Sequence, residues 1–254
     1  MKIVVVGGTG LVGSKLIEKL RGQGHLAEPA SPASGVNTLT GEGLAGALEG
    51  AAVVVDVTNS PSFEDAAALR FFRTSTGNLL KAEATAGVSH HVALSVVGTE
   101  RRSESGYSRA KLAQEELIEG GPIPYSIVHA TQFFEFIKRI ADDATDGDTV
   151  RLAPVLIQPI AADDVASAIG KVAIGSPLNG IVEVAGPQRF RLDELIRRDL
   201  RARHDPRDVI ADPDARYFGA KLGERTLLPG DDAILAETRF EDWFDRAAIP
   251  TRSP

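Results

Sequence analysis

The 254-residue chain contains no cysteine, which excludes disulfide bonds, thiolate catalysis and cysteine-ligated metal sites. It also has no apolar run that approaches the length of a transmembrane helix, so we expect no contact with a membrane. Because Met1-Lys2 leads directly into an apolar run, no room is left for a signal peptide. We therefore expect a cytoplasmic protein.

The chain lacks an excess of basic residues, since 28 Lys and Arg stand against 35 Asp and Glu, for a net charge of −7. This balance argues against a nucleic-acid partner, and basic pairs such as Arg101-Arg102 are predicted to be solvated. His90-His91 has no third ligand nearby, so a solvated turn is predicted there and no metal site is expected. We expect a small-molecule substrate, while the sequence leaves monomer and homodimer open.

A glycine-rich turn at residues 7–13 joins an apolar run of strand length, residues 2–6, to a helical pattern that continues to about residue 21. Strand, glycine turn and helix in this order predict the first half of a βαβ nucleotide-binding unit. The helix N-terminus offers free N–H groups to phosphates, and glycine lets the pyrophosphate approach the backbone. The predicted cofactor contacts in the turn are Gly7, Thr9, Gly10, Leu11 and Val12.

The second strand, predicted at residues 26–30, leads into the loop that would meet the adenosine ribose. An acidic residue at this point favours NAD and an arginine favours NADP, but the loop reads Ala-Ser-Pro-Ala-Ser. Ser31 and Ser34 are able to donate to either a 2′-hydroxyl or a 2′-phosphate, so they leave the choice open. We expect NADP(H) to be slightly favoured over NAD(H), with Ser31 as a contact.

Strands and helices alternate along the first half of the chain, which predicts an α/β protein with a doubly wound parallel sheet. The predicted domains are a Rossmann-like domain at residues 1–130 and a small α+β lobe at residues 131–254. A strand at residues 180–185 is predicted to return from this lobe to the main sheet. Further strands are predicted at residues 36–39, 52–57, 91–97 and 124–129.

Polar residues follow the apolar run at residues 52–57, and the carboxyl end of that strand would lie beside the cofactor. We therefore predict Thr58 and Asn59 as cofactor contacts. A Ser-Pro turn follows and leads to Ser62 to Asp65, which form a predicted capping box for a long helix.

Tyr107 and Lys111 are four residues apart, so they share one face at the start of a predicted helix. A lysine ammonium can stabilise a tyrosine phenolate, which lets the phenol pass a proton to a carbonyl oxygen. Ser95, at the end of the predicted strand 91–97, would orient that oxygen. These three residues are the predicted catalytic set, and Lys111 is also a predicted ribose contact.

The glycine turn, Ser95, Tyr107 and Lys111 together resemble the short-chain dehydrogenase/reductase superfamily. The segments at residues 86–95 and 123–133 are most similar to its atypical, NmrA-like NAD(P)-binding branch. The resemblance covers about residues 1–190. It implies a Rossmann-like fold, a dinucleotide at the glycine turn, and a substrate cleft against the C-terminal lobe. It also implies that the loop after the strand at residues 125–129 borders the nicotinamide, with Ala130 and Phe133 on the cofactor and Val97, Gln132 and Phe133 on the substrate.

Two positions depart from that family. The arginine that often follows the second strand is missing, and the asparagine that many catalytic members carry before the serine strand falls at Phe72. The leading hypothesis is an NAD(P)H-dependent oxidoreductase that transfers hydride to a small carbonyl or quinone-like substrate. The alternatives are a non-catalytic NADP(H)-binding redox sensor and, third, an epimerase or dehydratase that holds NAD tightly.

Overall fold

A computed structural model describes residues 1–248 of the chain, so the last six residues of the predicted C-terminal lobe lie outside the described part. The strands in chain order are β1 (Lys2–Val6), β2 (Leu26–Ala30), β3 (Val53–Asp56), β4 (His90–Val96), β5 (Tyr125–Ala130), β6 (Thr145–Asp146), β7 (Thr149–Leu152), β8 (Leu156–Ile157), β9 (Gly180–Ala185), β10 (Phe190–Arg191), β11 (Asp208–Ala211) and β12 (Ile234–Leu235). The α-helices are α1 (Leu11–Gly22), α2 (Leu44–Leu48), α3 (Asp65–Ala86), α4 (Gly106–Glu119), α5 (Ile137–Asp143), α6 (Ala162–Ile174), α7 (Leu192–Ala202) and α8 (Phe240–Ala248).

Seven strands form a fully parallel sheet in the order β12-β9-β5-β4-β3-β1-β2. The central strands are apolar because both faces of the sheet are covered. α1 and α6 pack on one face, where Leu16, Leu20 and Ile169 are fully buried. α3 and α4 pack together on the other. This arrangement confirms the predicted doubly wound α/β class.

The predicted strand at residues 180–185 is β9, which pairs with β5 in the main sheet. The C-terminal half also builds a second hydrophobic core from α5, α7, α8 and two small sheets, β11-β7-β6 and β10-β8. Phe134, Phe240 and Trp243 form an aromatic group in this core. In residues 1–248, no helix combines the length and apolarity that spanning a bilayer requires.

Three local predictions were wrong. Residues 36–39 lie in a loop, where Asn37 makes an isolated antiparallel bridge to Glu42, because the segment has no strand beside it to complete a ladder. α3 is capped by the Glu64 side chain, which accepts from the N–H groups of Ala66 and Ala67, so Ser62 does not form the capping box.

The third wrong prediction concerns His90 and His91, which are buried in β4 and do not form a solvated turn. His90 Nε2 lies 2.9 Å from Ser126 Oγ, and His91 Nδ1 lies 2.8 Å from Glu83 Oε1. Burial alone would lower the pKa of His91, but the Glu83 carboxylate raises it above the usual value. These partners come from β5 and α3, which local sequence does not reveal.

Candidate active site

A cleft of about 960 Å³ opens at the carboxyl ends of the parallel strands. Its walls are formed by the glycine turn, the loops after β2, β3 and β5, the end of β4 and the start of α4. Ligands of open α/β sheets bind at this edge. The predicted site residues that line the cleft are Gly7, Thr9, Gly10, Leu11, Val12, Ser31, Thr58, Asn59, Ser95, Tyr107, Lys111, Ala130, Gln132 and Phe133.

Several positions of the glycine turn have no room for a side chain. Gly7 has φ +81°, a conformation that L side chains rarely adopt. A Cβ at Gly8 would lie 2.7 Å from Val5 O, and one at Gly13 would overlap Gly7 O. Gly13 therefore lets α1 lie directly against the turn, as the predicted βαβ unit requires.

The N-terminus of α1 faces this turn without a capping side chain. Its N-cap, Gly10, makes no side-chain hydrogen bond, and the first turn contains no acidic residue. The N–H groups and the positive end of the helix dipole are thus available to an anion. A dinucleotide pyrophosphate fits this arrangement.

At the ribose end, the two serines predicted as alternatives differ in structure. Ser34 Oγ accepts from the Ser31 N–H at 2.9 Å and donates to backbone oxygens, so its hydroxyl stabilises the short 3₁₀ turn at Pro32–Ser34. Ser31 lines the cleft, as do Asn37 and Thr38. Polar groups without a formal charge therefore surround this end of the cleft.

Asp56 organises the end of β3. Its Oδ1 accepts from the N–H and hydroxyl of Thr58 at 2.9 and 2.7 Å, and its Oδ2 accepts from Gln114 Nε2 at 2.9 Å. The Thr58 hydroxyl is thus directed at Asp56, while the residue still lines the cleft.

The hydroxyl of Tyr107 donates to Asn59 Oδ1 at 3.0 Å. The phenol ring stacks on Phe63 at 5.4 Å between centroids and meets the edge of Phe72 at 6.0 Å. This burial raises the pKa of Tyr107 to about 12, and the nearby Arg102 guanidinium opposes the shift. Tyr107 is therefore a protonated donor at neutral pH.

Lys111 is part of the cleft wall but is only 2% exposed. Its Nζ donates to Leu94 O at 2.8 Å and to Gln114 Oε1, and it lies 4.5 Å from the centre of the Phe72 ring. Burial lowers the pKa of Lys111 to about 8, with Asp56 and Glu115 acting in the opposite direction. Phe72 thus contacts both Tyr107 and Lys111 where the resemblance leads one to expect an asparagine.

The Ser95 hydroxyl donates to Glu115 Oε1, which also lies 3.1 Å from His129 Nε2. Burial raises the pKa of Glu115, but His129 and Ser95 hydrogen bonds outweigh it and keep the pKa below the usual value. Ser95 is 2% exposed, so its hydroxyl belongs to a buried network in this structure.

Val97 is the one predicted site residue that lies outside the cleft wall. Leu94, Ser95 and Val96 at the end of β4 line the cleft, whereas Val97, the next residue, is 0% exposed. The predicted substrate contact of Val97 therefore has no support in this geometry.

The loop after β5 contributes Ala130, Thr131, Gln132 and Phe133 to the cleft. Both side-chain amide atoms of Gln132, and the Thr131 hydroxyl, are buried without a hydrogen-bond partner among the described residues. Buried polar groups normally have partners, so these three atoms are available to hydrogen-bond a ligand in the cleft.

Sequence reasoning missed the cationic and aromatic residues at the Tyr107 end of the cleft. Arg102, predicted to be solvated, is 6% exposed and donates to Gly98 O and Val97 O at 3.2 and 3.4 Å. The exposed Arg139 guanidinium lies 4.0 Å from the centre of the Phe63 ring. Tyr217 and Phe218 approach from the C-terminal half. No sequence signal links these residues, because they come from three distant segments.

No protein-family model matches the sequence, and no curated protein matches it. Solved structures do match the chain. A dTDP-4-dehydrorhamnose reductase from Clostridium acetobutylicum is 16% identical, over 98% of this chain and 100% of that chain, with a TM-score of 0.72.

Two further similar structures are enzymes with other activities. A UDP-glucose 4-epimerase from Thermus thermophilus in complex with NAD is 16% identical, covers 90% of this chain and 92% of that chain, and has a TM-score of 0.69. An NADPH-dependent quinone oxidoreductase from Escherichia coli in complex with NADPH is 19% identical, covers 83% and 77%, and has a TM-score of 0.65. At these identities the likeness establishes the fold. The chain therefore has the Rossmann-like fold of these structures.

Proposed function

We propose that the protein is an NAD(P)H-dependent oxidoreductase that reduces a small carbonyl or quinone-like compound. The observation that carries the proposal is the placement of Tyr107 in the same cleft as the uncapped N-terminus of α1 and its glycine turn. A proton donor and a dinucleotide-binding turn in one cleft are the two parts that such a reaction needs. Similar solved structures include reductases, which supports the proposal.

Under this proposal, the glycine turn binds the pyrophosphate through Gly7, Thr9, Gly10, Leu11 and Val12. Ser31 contacts the ribose. Thr58, Asn59, Ala130 and Phe133 border the rest of the dinucleotide. The polar, uncharged surroundings of Ser31 accept either a 2′-hydroxyl or a 2′-phosphate, and we propose a slight preference for NADP(H). Residues 1–130 form the cofactor domain, and residues from 131 onward close the substrate side.

The reduced cofactor would supply a hydride, and the chain must supply the matching proton. Tyr107 gives its hydroxyl proton to the carbonyl oxygen and becomes a phenolate. Arg102, whose charge acts on this phenol, stabilises the phenolate, and Lys111 adds a buried positive charge behind Phe72. Gln132 positions the substrate through its unpartnered amide group.

The first test is calorimetric titration of the purified protein with NADPH, NADP, NADH and NAD in parallel. We expect one reduced–oxidised pair to bind in the micromolar range. Failure of all four at millimolar concentration would reject the proposed function.

The second test is Tyr107→Phe, with Tyr125→Phe as a matched control, because Tyr125 lies outside the cleft. Reduced cofactor is then screened against aldehydes and quinones by its absorbance. We expect Tyr107→Phe to lose about 10²- to 10⁴-fold in turnover while it still binds cofactor. Full turnover in this variant would remove Tyr107 from the reaction.

The second candidate is a redox sensor that binds NADP(H) without turning it over. The Ser95–Glu115 hydrogen bond favours this candidate, because the hydroxyl predicted to orient the carbonyl is already committed. A sensor would bind NADPH and NADP with different affinities and would reduce none of the screened compounds. An epimerase that holds NAD would instead copurify with its cofactor.

A further inference from the structure

Arg102 is a buried cation that forms no salt bridge within residues 1–248. The residue is 6% exposed, and its two hydrogen bonds go from Nε and Nη2 to backbone oxygens. Among residues 1–248, no carboxylate oxygen lies within 4.0 Å of it, and Nη1 donates no hydrogen bond. A charge removed from water in this way is costly unless another charge or dipole compensates for it. Nη1 of Arg102 is therefore free to donate to an anion bound in the cleft.

Tyr217 supplies a second donor in the same cleft, on a segment that the Arg216–Glu104 salt bridge of 2.6 Å joins to the loop of Arg102. Its side chain is 7% exposed and lines the cleft, and its hydroxyl makes no hydrogen bond to the described residues. Burial raises the pKa of Tyr217 to about 12; the Arg102 guanidinium opposes this rise, and the Asp143 carboxylate adds to it. We call these two residues the anion subsite.

Two carboxylates act on this subsite from a distance, Glu100 on Arg102 and Asp143 on Tyr217, but Glu100 is paired with Arg101 at 2.8 Å. Asp65 is held by Arg109 at 2.7 Å, and Asp143 lies within 4.0 Å of neither Arg102 nor Arg139. Arg139 forms no salt bridge in residues 1–248 and rests on the Phe63 ring. Both guanidinium groups are thus able to attract an anionic ligand into this end of the cleft.

The position of Arg102 separates it from the ribose end of the cleft. Ser31 follows β2, whereas Arg102 follows β4, three strand positions away in the sheet. At about 4.8 Å per strand, this is about 14 Å, so Arg102 is remote from a 2′-phosphate of the cofactor. Its charge acts on Tyr107, the proposed proton donor, which places it on the substrate side.

We propose that the substrate is a ring-bearing carbonyl compound with a carboxylate or phosphate group, and that Arg102 and Tyr217 bind this anionic group. The aromatic walls at Phe63, Tyr107 and Phe218 suit the ring. The arginine fork and the tyrosine hydroxyl suit the oxygens of either anion. This inference rests on the proposed function for the reaction, but the anion subsite is testable by binding alone.

Binding is measured first, with benzoate and phenyl phosphate as probes in calorimetric titrations. We expect the wild-type protein to bind one of them and Arg102→Gln to lose at least about tenfold in affinity, since hydrogen bonds to charged groups are worth about that much. Because Arg102 also holds the loop at residues 97–98, Tyr217→Phe serves as the second variant, with the smaller loss expected for one hydroxyl. Arg151→Gln and Tyr125→Phe are the matched controls, since both residues lie outside the cleft.

Turnover is measured next, with 4-carboxybenzaldehyde, 4-formylphenyl phosphate and the neutral methyl 4-formylbenzoate. We expect one anionic aldehyde to exceed the ester about tenfold or more in kcat/KM. In Arg102→Gln this preference should fall to about twofold through the KM of the anionic aldehyde. The kcat of all three aldehydes should fall together, because Arg102 also stabilises the Tyr107 phenolate, while the affinity for NADPH stays unchanged.

The outcomes separate the two proposals. Anion binding that depends on Arg102 and Tyr217, without turnover of any aldehyde, would support the anion subsite and reject the proposed reaction. Turnover with equal preference for acid, phosphate and ester would overturn the anion subsite and leave the proposed reaction standing. Absence of binding by both probes, or equal losses in the control variants, would also overturn it.

Discussion

The hydroxyl of Tyr107 and the side-chain oxygen of Asn59 are 3.0 Å apart, and the phenol donates to the amide oxygen. The two residues are 48 positions apart in the chain, at the start of α4 and after β3. Asn59 therefore holds the proposed proton donor in place without carrying a charge. An uncharged acceptor matters here, because a phenol that gives up its proton becomes negative.

This relationship predicts different effects for two substitutions at Asn59. Asn59→Asp keeps the size of the side chain but places a carboxylate beside the developing phenolate, so we expect kcat to fall by more than about tenfold. Asn59→Ala removes the acceptor without adding charge and should have the smaller effect. The kcat values of both variants are measured by steady-state kinetics with the same aldehyde. Equal kcat values for Asn59→Asp and wild type would contradict the formation of a charged phenolate.

The lowered pKa of Lys111 predicts an alkaline limb in the pH profile of the reaction. Burial brings the pKa of Lys111 to about 8, while the pKa of Tyr107 is about 12. As the pH rises above about 8, Lys111 loses its charge before Tyr107 loses its proton, so kcat/KM should decline there. In Lys111→Met the residual rate should be low and independent of pH between 7 and 10. A wild-type profile that stays flat to pH 10 would show that the Lys111 charge is not needed.

The contact between Gly13 and the Gly7 carbonyl predicts that Gly13→Ala is damaging. A Cβ at residue 13 would overlap Gly7 O, so α1 must move away from the turn. We expect a loss of roughly 1–3 kcal/mol in the free energy of unfolding, as for other overpacked sites, and much weaker NADPH binding. Gly22→Ala is the matched control at the other end of α1, because a Cβ there meets no atom within 4 Å. Chemical denaturation and cofactor titration of both variants measure the difference.

The buried His91–Glu83 pair predicts a non-additive effect on stability. Both side chains are 0% exposed, and they are 2.8 Å apart. Glu83→Leu leaves His91 buried without its partner, so we expect a loss of about 3–5 kcal/mol in the free energy of unfolding. The double variant Glu83→Leu/His91→Leu should recover part of that loss, because no unpaired polar group remains. Additive losses in urea denaturation would show that the two residues do not act as a pair.

The local features of the cofactor region could be predicted from sequence because adjacent residues carry them. β1, the glycine turn and α1 follow one another without interruption, and steric demands within the turn itself select its glycines. Likewise, Tyr107 and Lys111 share a helix, so their four-residue spacing brings them to neighbouring positions. The α/β class followed from alternating patterns that each extend over a single element.

Sequence reasoning was incomplete or wrong where a residue's role depends on a distant partner. The role of Ser95 as the residue that orients the carbonyl oxygen stays a prediction: Ser95 lines the cleft, and its hydroxyl donates to Glu115, twenty positions further along, a partner that the sequence did not indicate. Arg102 was predicted to be solvated, yet the tertiary fold buries it near Tyr217. Residues 36–39 have a strand-like pattern, but no neighbouring strand completes a ladder for them.

The sequence by itself determined the strand–turn–helix start, the alternation of strands and helices, and the Tyr107–Lys111 spacing. These depend on backbone sterics and on hydrophobic periods of two and 3.6 residues, which act over a few residues. Only the tertiary structure decided which groups face the cleft and which face one another. Tyr107 donates to Asn59, and Ser95 donates to Glu115. Arg102 is buried in the same cleft wall as Tyr217, without a carboxylate within 4.0 Å among residues 1–248. Burial, pKa and hydrogen-bond partners all depend on segments that the chain brings together from far apart, and no local pattern encodes them.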